Sequence, residues 1–152
     1  MKFHALTTII LLMLSGAASA AAEYPTLKPG LWQTTEKGDN PRRFSVCFGD
    51  AASQDQMLAD QQMAMKKICS KKETRKEGDK WTSDSVCNYY PAGTHIIKHG
   101  VTTMNGDATH TDLVTSFDPP SQDRKNSTTT SDSKWTGPCK AGQKPGDTVI
   151  EK

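Results

Sequence analysis

Four cysteines, Cys47, Cys69, Cys87 and Cys139, constrain what this chain can fold into more than any other feature. An even number in a short exported chain reads as a disulfide framework. Export is what the first twenty residues predict. Lys2 begins a short positive region, Leu6–Leu14 is apolar, and Ala18-Ser19-Ala20 supplies the small residues that a signal peptidase needs. The apolar run is too short to cross a bilayer core of about 30 Å as a helix. Residues 1–20 are therefore read as a cleavable signal peptide that delivers the chain to the periplasm, with no membrane span. No cysteine follows the apolar run, so a lipid anchor is not expected.

The interior left behind is thin. Hydrophobic residues make up 34% of the chain and the mean hydropathy is −0.65, signal peptide included. About 130 residues remain, the length of one domain. A domain this polar needs cross-links beyond packing. The formal charge of +2 includes Lys2, so bulk charge points to no nucleic acid or other partner.

Along the chain, Leu31, Gln33 and Thr35 alternate with Trp32, Thr34 and Glu36 behind a Pro29-Gly30 turn, the period of a strand. Arg42–Phe48 reads as a second strand, with Phe44, Val46 and Phe48 on one face and Cys47 on the other. A glycine- and proline-free stretch then predicts a helix over Gln54–Lys67, opened by a Ser53/Gln56 capping box and closed by Lys66 and Lys67. Thr94–Met104 and Ala108–Phe117 form a hairpin about Asn105-Gly106-Asp107, which sets His110 opposite Thr102. A polar loop, Asp118–Ser127, precedes a last strand ending at Trp135. The domain is drawn as residues 24–140, and 141–152 as a C-terminal tail.

The segment Cys69–Cys87 predicts its own cross-link. Folded at Gly78, it sets Cys69 opposite Cys87 and Arg75 opposite Trp81. Turn residues and cysteine register agree independently, so these two cysteines pair. Cys47 is then left for Cys139, tying the second strand to the end of the last.

Lys28-Pro29-Gly30-Leu31-Trp32 near the mature start, a cysteine soon after, and a closing Gly137-Pro138-Cys139 resemble the DUF3617 family of small exported bacterial proteins. The resemblance runs from Lys28 to Cys139. It departs at Gln33, where the family commonly has glutamate, and at Lys134-Trp135-Thr136, where arginine often precedes the glycine. The resemblance implies a periplasmic, sheet-rich domain and brings no catalytic residues with it.

Chemistry-bearing patterns are weak. His95 and His99 lie on one face of a strand but about 13 Å apart, too far to share a metal. Met63 and Met65 diverge on a helix, so no copper site is expected. The basic residues Lys66, Lys67, Lys71, Lys72, Arg75, Lys76 and Lys80 interleave with Glu73, Glu77 and Asp79, the pattern of a solvated edge hairpin. No nucleophile elbow, zinc helix or phosphate loop is present, and the cysteines are structurally used.

The expected fold is a mainly β, curved antiparallel sheet or half-barrel of about six to eight strands, disulfide-stapled, with one helix inserted between strands two and three. The expected function is non-enzymatic: binding of a small apolar ligand or lipid, or of a periplasmic protein, without cofactor or metal. Trp32, Phe44, Trp81 and Trp135 are the candidate ligand-lining residues, with core packing as their alternative role. The competing expectation is an inhibitor of a secreted hydrolase, inserting Tyr89–His95 or Asp118–Ser127.

Overall fold

Strand-forming runs rich in threonine, valine and aromatics, divided by glycine-centred turns, give eight strands and one helix among the described residues. They are β1 (Gly30–Lys37), β2 (Arg42–Phe48), α1 (Ala51–Ile68), β3 (Cys69–Glu77), β4 (Lys80–Tyr89), β5 (Thr94–Asn105), β6 (Ala108–Asp118), β7 (Ser127–Gly137) and β8 (Thr148–Glu151). The structure, a computed structural model, describes residues 24–89, 93–120 and 125–151. The expected signal peptide lies outside the described residues, as do parts of the two loops considered for an inhibitor.

All strands join one antiparallel sheet in the order β3-β4-β5-β6-β7-β1-β2-β8. Both disulfides are the expected ones, Cys69–Cys87 from the hairpin and Cys47–Cys139 from the two cysteines that remain. The first closes the edge hairpin. The second joins the end of β2 to the chain just past β7. Among the described residues the buried apolar side chains are Trp32, Cys47, Trp81, Cys87 and Phe117. Two of these five are disulfide sulfurs, so the cross-links supply part of the core as well as bracing it.

Two register expectations are corrected by one residue. Both long hairpins turn on two residues, Gly78-Asp79 and Gly106-Asp107, with the glycines at φ +62° and +58°. No described non-glycine residue has positive φ, which is the type II′ pattern suited to twisted strands. A two-residue turn centres the hairpin after the glycine, not on it. Trp81 therefore faces Lys76 instead of Arg75, and His110 faces Thr103 instead of Thr102. Cys69 still meets Cys87 because a bulge at Ser70 takes up the extra residue.

The helix starts a turn before its expected beginning. Asp50 is its N-cap, accepting hydrogen bonds from Ser53 N at 2.9 Å and Ser53 Oγ at 2.7 Å. No residue of α1 is buried, and Met57, Met63 and Ile68 stay exposed. The helix is held by polar contacts instead: Gln54 bonds Leu27 through both its amide and its carbonyl, and bonds the Gly49 carbonyl.

The stretch read as a tail contributes a strand. Thr148–Glu151 pairs with β2, and Gln33 Nε2 donates to both Glu151 carboxylate oxygens. With only four residues it carries no hairpin partner of its own in sequence, so periodicity could not reveal it.

Candidate functional site

Opposed residues in an antiparallel sheet share a face, so the register sorts the side chains. One face carries Thr74, Trp81, Cys87, Ile96, Lys98, Thr115, Phe117, Thr129, Ser133, Trp32 and Phe44 across seven strands. It is rich in hydroxyls, several of which pair with one another: Thr34 with Ser133 at 2.8 Å and Thr102 with Thr111 at 2.9 Å.

This face is concave. A single cleft of about 520 Å³ takes lining residues from β1 and β2 (Glu36, Arg42), β5 (Ile96, Lys98), β6 (Thr115, Phe117) and β7 (Thr129). In a flat sheet β2 and β5 would stand about 19 Å apart. Only a curled sheet brings them to one cavity.

The other end of the concavity is covered. Residues 24–29 cross it as a strap, with the Tyr24 hydroxyl bonded to Thr74 at 2.9 Å and the Lys28 carbonyl accepting from Trp32 Nε1 at 2.8 Å. Lys28 Nζ lies 3.6 Å from the Trp135 ring centroid and 3.1 Å from Asp107, while Trp135 Nε1 donates to the Pro29 carbonyl at 3.0 Å. Gly30 makes this close approach possible, since a Cβ there would meet both Trp135 Nε1 and the Gly137 carbonyl at 2.4 Å. The opening Lys-Pro-Gly-Leu-Trp run and the closing Trp-Thr-Gly run are thus two halves of one clamp.

That geometry accounts for the motifs by which the chain resembles its family. The family described as "Protein of unknown function (DUF3617)" matches residues 27–139. The chain belongs to the DUF3617 family. Its match begins at Leu27, one residue before the clamp lysine, and ends on the cysteine that locks the clamp's far side. Neither the curated proteins nor the solved structures hold a match to this DUF3617 chain.

Of the four aromatic candidates in this DUF3617 domain, Trp32 and Trp81 are buried on the concave face, and Lys76 Nζ covers the Trp81 ring at 4.9 Å. Phe44 is half-buried beneath the Arg42 guanidinium, and Trp135 is under Lys28. None of the four lines the large cleft, whose apolar floor is Ile96 and Phe117. Those floor residues alternate with Lys98 and Thr115 in β5 and β6, a pattern visible in the sequence once the hairpin register is known.

The convex face carries ion pairs. His110 Nδ1 meets Asp132 at 2.7 Å and Nε2 meets Asp112 at 3.3 Å. The Asp132 hydrogen bond holds the His110 imidazole above its ordinary pKa, and the same bond holds Asp132 below the usual carboxylate range. His99 likewise holds Asp84 below it, assisted by Arg75 at 2.9 Å. These are solvent-facing pairs of the kind that contribute little each. Among the described residues no group of three or more histidine, cysteine or carboxylate side chains converges to hold a metal.

The basic stretch lies mostly on β3, the outermost strand, where Lys71 pairs with Glu73. No helix among the described residues is long and apolar enough to cross a membrane.

Proposed function

We propose that this chain is a non-enzymatic binding domain of the periplasm that takes a small ligand in the open half of its concave face. The observation that carries this reading is the cleft of about 520 Å³, within the range of ligand sites, in a domain with so few buried apolar residues. A small sheet protein without a ligand to hold would gain by filling that cleft with large side chains; its described lining instead presents hydroxyls, charged groups and two apolar residues, Ile96 and Phe117. Of the small apolar ligand or lipid expected from sequence, the cleft's mixed lining suits an amphipathic, lipid-like molecule better. Two disulfides are compatible with a periplasmic or extracellular location.

Native mass spectrometry of the protein purified from periplasm tests the reading. The expected result is a small-molecule adduct that is lost on denaturation. The bare mass alone would count against it, and a co-purifying hydrolase would favour the inhibitor instead.

A further inference from the structure

The cleft's charges narrow the ligand. Arg42, Lys98 and Lys125 line it against Glu36 and Asp39. Arg42 is already committed, since its Nε bonds the Glu36 carboxylate. Lys98 is not. It projects from the middle of β5 onto the concave face, between Ser85 and Thr115 on the neighbouring strands, and no described residue pairs with its ammonium. Two residues before it is Ile96, and across from Ile96 is Phe117. Thr115, Ser127 and Thr129 add neutral hydroxyl donors around the same space.

A lysine amid cross-strand neighbours that are all uncharged makes no contribution to the sheet that a threonine would not make better. What it does offer is an anchor for an anion beside an apolar floor. Resting on the binding reading above, we infer that the cleft binds an amphiphile with a single anionic headgroup, carboxylate or phosphate. The headgroup meets Lys98 and Lys125, and a short apolar body lies on Ile96 and Phe117. A cation is disfavoured because Arg42 neutralises Glu36, and Lys98 and Lys125 outnumber the remaining carboxylate of the cleft, Asp39, so the local sign is positive.

The test titrates the intact protein with decanoate, decyl phosphate and decyltrimethylammonium, each below its micelle concentration, by calorimetry and by amide chemical shifts. The anionic probes are expected to bind at least about tenfold more tightly than the cationic one, and Lys98→Gln to lose about tenfold for the anions alone. Amide shifts are expected on Ile96, Lys98, Thr115 and Phe117. Preference between decanoate and decyl phosphate distinguishes a fatty-acid source from a phosphate ester. Lys98 is exposed, so its substitution leaves the fold intact, and Lys125→Gln provides a second variant with the same expected direction. Equal affinity for both signs of charge, an unchanged Lys98→Gln, or shifts confined to the strap around Tyr24 and Met65 would overturn the anion assignment and leave the binding reading standing. Failure of all three probes also overturns it, and the binding reading is then decided by what co-purifies in the native mass spectrum.

Discussion

The Lys28 ammonium sits 3.6 Å from the centroid of the Trp135 ring and 3.1 Å from the Asp107 carboxylate, joining the strap, the end of β7 and the β5–β6 turn. Lys28 is 79 residues from Asp107, and its neighbour Pro29 is 106 from Trp135, yet these groups form a single clamp over the covered end of the concavity.

The clamp's backbone matters more than its charge. Gly30 has φ +134° and no room for a Cβ, so Gly30→Ala is expected to cost about 3 kcal/mol or more in denaturant unfolding, from backbone strain and displacement of Trp135. Gly106→Ala, at φ +58° with open space around it, should cost about 1–2 kcal/mol. Lys28→Ala loses a half-exposed ion pair and a cation–π contact, about 1 kcal/mol. An equal cost at the two glycines would remove the clamp from the account of the fold.

The two disulfides should contribute unequally. Their sequence separations are 92 and 18 residues. Loop-closure entropy then assigns about 4.5 kcal/mol to Cys47–Cys139 and about 3 kcal/mol to Cys69–Cys87. Paired Cys→Ala variants compared by urea unfolding check the order. With so few buried apolar side chains, the Cys47→Ala/Cys139→Ala variant is expected to be the less stable of the two.

His110 should titrate above about 6.5, the value of a free imidazole. The Asp132 hydrogen bond favours the protonated ring, so its stabilisation is fully present below the unfolded pKa and is lost as pH rises through the raised folded one. Asp132→Asn removes the leading cause and should move the titration down, as read by NMR of the imidazole protons. The variant's melting temperature should also vary less than the wild type's across that window. An unmoved titration would place the cause elsewhere.

Ending the chain at Asp147 removes β8. Four paired positions and the Gln33–Glu151 bonds go with it, an expected loss of about 1–2 kcal/mol. The bared β2 edge should also raise self-association, measurable by light scattering. A true tail would be removed with no change in either quantity.

Much of this architecture was legible in the residues. Period-two alternation located the strands, and a run free of glycine and proline located the helix. The Cys69–Cys87 segment carried its own turn, so its cross-link could be read, and the other followed from it. These are local properties: a strand's alternation and a turn's glycine are encoded within a dozen residues. What the tertiary structure decided is different in kind. The hairpin registers moved by one because a type II′ turn centres between two residues, and a bulge at Ser70 then restored the cysteine pair. Short β8 pairs with β2 where the Cys47–Cys139 bridge and the Cys47 backbone bonds to Gly146 and Asp147 return the chain to that strand. The cleft exists because curvature gathers Arg42, Lys98 and Phe117 from strands that would stand far apart in a flat sheet, and curvature belongs to the whole sheet rather than to any segment of it.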